Sequence, residues 1–140
     1  MPSECIFCRI IEGSLPASIV YEDGQAVAFM DIMPINPGHI LVVPKTHAPE
    51  LSNLDEDTGA HLFRVAMRLE KALRASGLQC EGTNLLQNNG AEAWQEVMHV
   101  HLHIIPRFRG DGVKVHFGQK QAPRAHLDQW AEQVKAYLQS

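Results

Sequence analysis

The stretch His99-Val100-His101-Leu102-His103-Ile104-Ile105-Pro106 decides how the rest of this 140-residue chain is read. Histidine alternates with an apolar residue at a spacing of two, the side-chain period of a β-strand. On a strand, His99, His101 and His103 leave from one face, about 6.5–7 Å apart from one to the next. Val100, Leu102 and Ile104 then enter a core on the other face. A helix would spread the three rings over about 200° of its circumference. The β-branched residues and the closing Pro106 also favour a strand. One histidine is most often a satisfied polar group; three on one strand face point to chemistry.

Two residues back from His99 lies Val97, and two further back Gln95, so the row continues into a side-chain amide. An amide beside imidazoles suits an anion, and the loop containing Gly90 can add backbone N–H donors. A neutral imidazole flanked by donors can attack phosphorus when its other ring nitrogen holds a fixed proton. Histidines two apart on a strand are equally the ligands of a zinc enzyme. Cys5-Ile6-Phe7-Cys8 adds two thiols, either a redox pair or half of a tetrahedral metal site. No strand precedes the thiols, which weighs against a thioredoxin-like pair. Other ligands must come from His39, His47, His61, His99, His101, His103, His116 and His126. His61 and His126 fall on helices as solvated faces and His116 in an irregular tail; spacing alone does not choose among the others. Cys80 stands alone and reads as a small buried or half-buried residue.

Outward from the histidines, Ser18–Glu22 and Ala26–Asp31 read as strands around an Asp23-Gly24 turn, and His39–Pro44 as a central strand. Asp55–Ser76 is a helix with Leu62, Val65, Ala66, Leu69 and Leu73 on one stripe, stopped by Gly77. Thr83–Asn88 is a further strand, and Cys5–Glu12 a short helical turn. After Arg107 the chain is irregular until Pro123 opens a final helix with Leu127, Trp130, Val134, Tyr137 and Leu138 on its apolar side. About five strands and two main helices in this order predict an antiparallel α+β domain.

Composition predicts one globular domain over residues 1–140, with 45% apolar and 20% charged residues. A formal net charge of -4 excludes a broad nucleic-acid surface while leaving room for one nucleotide in a polar pocket. No apolar run reaches the roughly 20 residues of a membrane span. Met1-Pro2-Ser3-Glu4-Cys5 lacks the basic and apolar regions of a signal peptide, so a cytoplasmic location is expected.

The His99–Ile105 stretch resembles the signature of the histidine-triad (HIT) superfamily. Three further segments agree with it in order: Cys5-Ile6-Phe7-Cys8-Arg9-Ile10-Ile11, Asp31-Ile32-Met33-Pro34-Ile35-Asn36-Pro37-Gly38-His39, and Leu41-Val42-Val43-Pro44-Lys45-Thr46-His47. The likeness covers Cys5 to Arg107 and is greatest to small bacterial-type HIT hydrolases, between the Hint and Fhit branches. It implies a homodimer whose two sheets join, and hydrolysis of a purine nucleotide of AMP type through a covalent nucleotidyl-histidine on His101. By the same likeness Asp31 would bind the ribose hydroxyls, and Phe7, Phe29 and Ile32 would line the base and sugar pocket. Asn88, Gln95 and His103 would contact the α-phosphate. His39 would sit behind His101 and help fix its tautomer. Zinc-bearing members imply Cys5, Cys8, His47 and His99 as ligands of a structural zinc, with no organic cofactor. A closed site of two thiolates and two imidazoles has no open position for catalysis.

Phosphoramidates lead as substrates, with dinucleoside polyphosphate hydrolysis or nucleotidyl transfer as the alternative. A nucleotide-binding interaction protein and a catalytic zinc held by the triad itself are the readings from other classes. The chain departs from the family pattern at Trp94, where a glycine commonly precedes the pocket glutamine, and at Glu96, where the Hint branch has serine. On an ideal strand Glu96 points away from the histidines, toward solvent or a dimer contact.

Overall fold

A computed structural model describes residues 4–138. The ends of the expected domain, 1–3 and 139–140, lie outside the described residues, and with them most of the stretch read for a signal peptide. Helix α1 spans Ile6–Ile11, followed by strands β1 (Ile19–Glu22), β2 (Ala26–Met30) and β3 (Ile40–Pro44). Helix α2 (Glu56–Ala75), β4 (Gly82–Gln87), β5 (Leu102–Arg107) and helix α3 (Arg124–Lys135) complete the order. The strands form one antiparallel five-stranded sheet, β1-β2-β3-β5-β4, so the fold is α+β as expected.

The β1–β2 hairpin turns on Asp23, whose carboxylate accepts from the backbone N–H groups of Gln25 and Ala26 at 2.7 and 2.8 Å. All five residues of β3 are buried, which its continuous apolar run requires of a central strand. Asp55 caps α2 by accepting from Thr58 N–H, and the helix ends at Ser76, before Gly77. Its stripe of Leu62, Val65, Ala66, Leu69 and Leu73 packs on Ala28, Ile40, Val42, Val100 and Ile104 of one sheet face. Burial contributes on the order of 2 kcal/mol for each large member of that stripe. The opposite face gathers Val27, Phe29, Leu41 and Val43 around Phe7 of α1. His61 is not the solvated ring expected of it: it donates to Asp23 at 2.6 Å and pins α2 to the β1–β2 turn.

The histidine stretch differs from the expected strand at its start. The β-ladder begins at Leu102, paired with Val42 and Gln87, because β4 ends at Gln87 and offers no partner further back. His99-Val100-His101 runs up to it outside the ladder, with a bend at His99, and is held by other bonds, such as Val100 N–H to Ala48 C=O at 2.8 Å. The alternation survives: Val100 joins the α2 side, and His99 and His101 lie against Phe7. The row does not continue to Gln95, because the backbone bends over Val97–His99, where His99 N–H donates to Val97 C=O at 2.9 Å.

The β2–β3 loop that carries Asp31 and His39 is held from two sides. Gly38 has φ +101°, and a Cβ there would meet Leu73 and Leu78 at 3.0 and 3.1 Å. Asn36 donates to Pro106 C=O at 2.8 Å and to Asp111 at 3.0 Å, and Asp111 also pairs with Arg107. Residues 111–123 are irregular as predicted, whereas α3 stops at Lys135, so Tyr137 and Leu138 lie beyond it. Its apolar residues Leu127, Trp130 and Val134 are all exposed. Among the described residues no helix is long and apolar enough to cross a membrane.

Candidate active site and metal centre

His101 and His103 meet on the α1 side of the sheet, their rings 4.9 Å apart centre to centre. Each is held by a hydrogen bond that decides its tautomer. His101 Nδ1 lies 2.7 Å from the backbone C=O of His99; a carbonyl only accepts, so Nδ1 carries the proton. Nε2 of His101 is then an unprotonated lone pair. The chain of bonds to His103 runs the other way. The N–H of Ile35 donates to His39 Nδ1 at 3.1 Å, which leaves the proton of His39 on Nε2. That Nε2–H donates to His103 Nδ1 at 2.9 Å, so the proton of His103 sits on Nε2. Two neighbouring imidazoles are thereby fixed in opposite states, one with a nucleophilic lone pair and one with a donor.

This places His39 behind His103 and corrects the expectation that it sits behind His101. The register Leu41↔His103 brings the start of β3 nearer to His103 than to His101. The C=O of His99 holds His101 instead. Ile35 N–H and His99 C=O are main-chain groups, and no residue type in the sequence could have signalled either.

Burial lowers the proton affinity of His39, His99 and His101 below that of a free imidazole, so all three are neutral near pH 7. The nearby charges of Asp31 and Glu96 partly oppose this at His101. His103 is pushed from 6.5 down to about 4, by burial first and then by His101 and His39. Between those two values the unfolded chain binds a proton at this residue that the folded chain does not. Stability therefore falls as pH drops from 6.5 toward about 4. Urea unfolding across this range is expected to show the slope, and His103→Gln to make it shallower, with the other buried histidines keeping the remainder.

The first triad member turns away from this pair. His99 Nδ1 lies 3.4 Å from Cys5 Sγ, 3.6 Å from Cys8 Sγ and 3.1 Å from His47 Nδ1, and Cys8 Sγ lies 3.3 Å from His47 Nδ1. A tetrahedral zinc with ordinary bond lengths sets sulfur and nitrogen ligands about 3.5 Å apart and two nitrogens about 3.3 Å apart. The observed separations fit it. His99 Nε2 donates to Pro44 C=O at 2.8 Å, which leaves Nδ1 free to coordinate and holds the ring as outer hydrogen bonds do in metal sites. Without a cation, burial and the neighbouring Cys5 push the Cys8 thiol up to about 11, the reverse of what a thiolate cluster needs. Asp31, His39 and His103 also lie close enough together to hold a cation, but the bond between the two histidines already uses their facing nitrogens. His101 belongs to neither group.

The other candidate residues surround His101. Phe7 is buried with its ring 5.1 Å from His101 and 5.5 Å from Phe29, so both phenylalanines form a floor under the site. Asp31 accepts from Met33 N–H at 2.9 Å at the foot of the β2–β3 loop, where Ile32 is 92% exposed. Pairing of Gln87 with Leu102 sets Asn88 at the end of β4, next to His101. Gln95 is buried with its amide fully engaged: it accepts from Gly90 N–H at 2.7 Å and donates to Pro49 C=O and Val97 C=O. It shapes the 88–95 loop from within. Trp94, whose backbone is left-handed, was legible only as a departure, not as a strained residue.

Known proteins resemble this chain along most of its length. The sequence profile of the HIT domain family matches residues 12–110. An uncharacterised HIT-like protein of Methanocaldococcus jannaschii is 43% identical over 131 residues, covering 94% of this chain and 98% of its own. An adenosine 5'-monophosphoramidase of Candida albicans is 40% identical over 108 residues, 75% of this chain and 71% of its own. Among solved structures, a Zn-bound histidine triad family protein from Mycobacterium smegmatis superposes with a TM-score of 0.76 at 35% identity. That superposition covers 96% of this chain and 98% of the other.

Proposed function

We propose that this chain, which belongs to the HIT family, is a nucleotidyl hydrolase of the purine nucleoside phosphoramidase type with His101 as its nucleophile. The observation that carries the reading is the opposed protonation of His101 and His103, set by His99 C=O and by the Ile35–His39 chain. In the reaction the Nε2 lone pair of His101 attacks the α-phosphorus of an AMP amide. A P–N bond forms to His101 as the P–N bond to the amine breaks, and the amine nitrogen takes a proton from solvent, which the water of the second step returns. Water then attacks the nucleotidyl-histidine, releasing AMP and restoring the lone pair. The Nε2–H of His103 faces the charge that gathers on the non-bridging oxygens, with Asn88 and the backbone N–H groups of the loop shaped by Gln95 beside it. Asp31 would take the ribose hydroxyls, and Phe7, Phe29 and Ile32 the base and sugar. The phosphoramidase name of the Candida albicans relative supports the substrate class.

Cys5, Cys8, His47 and His99 would hold a structural zinc that ties α1 to the segment bearing the nucleophile. The thiol and imidazole spacing and the Zn-bound relative support this. A metal centre built on the triad is disfavoured because His99 sits with the thiols, His101 joins neither cluster of possible ligands, and His103 spends its Nδ1 on His39. No organic cofactor is needed for this chemistry. The reading is tested by comparing turnover of adenosine 5'-phosphoramidate with that of a diadenosine polyphosphate. Faster cleavage of the amide is expected; the reverse order would favour the dinucleotide alternative. Tight AMP binding with turnover of neither would favour an interaction protein.

The protein would act as a homodimer. Strand β4 is an unprotected sheet edge, and beside it Phe63, Met67 and Leu85 are exposed at 54%, 61% and 38%. Edge pairing across a two-fold axis would join the two sheets and bury these side chains. Met67→Arg is expected to convert a dimer to a monomer in sedimentation, whereas an unchanged mass would place the interface elsewhere.

A further inference from the structure

Among the described residues Trp94 is the one non-glycine residue with a positive φ, at 73°. A residue with a Cβ is strained there, and glycine would not be. The ring does not fill a core, since it is 64% exposed. It does not close the loop either, because Gln95 and Gly90 do that with two hydrogen bonds. Its aromatic partner is Phe117, from the irregular segment after β5, stacked with ring centres 6.3 Å apart at 24° and itself 58% exposed. Two exposed rings thus form a flat apolar platform on the loop between β4 and His101, the loop whose Glu96 is close enough for its charge to act on His101. Strain kept together with exposed aromatic surface at a site points to a ligand contact.

We propose that Trp94, backed by Phe117, is a leaving-group subsite that stacks a flat aromatic ring carried by the departing half of the substrate. The inference rests on the hydrolase reading and adds a preference to it; the bonds made and broken at phosphorus are unchanged. Two leaving groups carry such a ring: an aromatic amine on a phosphoramidate, and the second nucleobase of a dinucleoside polyphosphate. Glu92 and Glu96 are exposed on either side of Trp94 and would repel a polyphosphate, which favours the amine.

The test uses the full chain with Trp130→Phe, which leaves Trp94 as the only tryptophan. A non-hydrolysable AMP analogue bearing a nitrobenzylamine group is expected to quench Trp94 fluorescence, and AMP alone is not. In turnover, the ratio of kcat/KM for the nitrobenzyl amide of AMP to that for the simple amide is expected to fall about 10-fold in Trp94→Gly, a stacking-sized loss. Phe117→Ala, which leaves the loop backbone alone, should lower the ratio less. A fall confined to diadenosine triphosphate would keep the subsite and assign its ring to a second nucleobase. An unchanged ratio in both variants overturns the proposal, as does a Trp94 already shielded from acrylamide in the free protein. If the wild type cleaves none of these substrates, the hydrolase reading fails, and quenching by the aromatic analogue alone decides the subsite.

Discussion

His101→Ala is expected to lower kcat/KM for an AMP amide by about 10⁴-fold or more, on the order of 5 kcal/mol of barrier. The replacement removes the only imidazole of the pair whose Nε2 is an unprotonated lone pair, and His103 cannot substitute because its lone pair is spent on His39. The fold should tolerate the change, since His101 lies outside the five-stranded ladder and outside the metal quartet. AMP affinity is therefore expected to survive while turnover does not. His103→Ala removes one donor and should cost less, about 10²–10³-fold in kcat. Steady-state assays with adenosine 5'-phosphoramidate give both values, and a His101→Ala variant near wild-type rate would rule out the nucleophile.

Cys8→Ser is expected to have the largest effect on stability. Cys8 is the buried thiol of the quartet, and its loss should abolish zinc binding as measured by metal content. Where free zinc exceeds the dissociation constant by 100- to 1,000-fold, the bound ion contributes about 3–4 kcal/mol. Unfolding midpoints of Cys8→Ser and of the chelated wild type should drop alike. Cys5→Ser should behave similarly and His101→Ala should keep its zinc. A variant set in which His101→Ala loses the metal and Cys5→Ser retains it would mean that the triad itself binds zinc. Activity should fall in Cys8→Ser as well, because the C=O that orients His101 belongs to the ligand His99.

Periodicity made much of the frame legible. The α2 stripe, the buried β3 run and the split of Val100 and Ile104 from the histidines follow from spacings of 3.6 and two residues. The start of β5 was not legible, because a strand ends where its partner ends, and Gln87 sets that limit from elsewhere in the chain. The four metal-type ligands lie in three segments between residues 5 and 99, and only the family resemblance joined them. Gln95 shows the limit of a two-residue row: the backbone bends between it and His99, and the amide turns into the loop. The partner of His39 depended on strand register, and the tautomers on two main-chain groups that every residue possesses.

The central claim is that the lone pair of His101 becomes bonded to phosphorus during turnover. Its most direct test is rapid mixing of excess enzyme with adenosine 5'-phosphoramidate, an alkaline quench that preserves P–N bonds, and peptide mass spectrometry. A nucleophilic His101 predicts an AMP adduct on that residue, formed and lost at rates compatible with kcat and absent in His101→Ala. Turnover with no adduct at any time, or an adduct on His103, would contradict it.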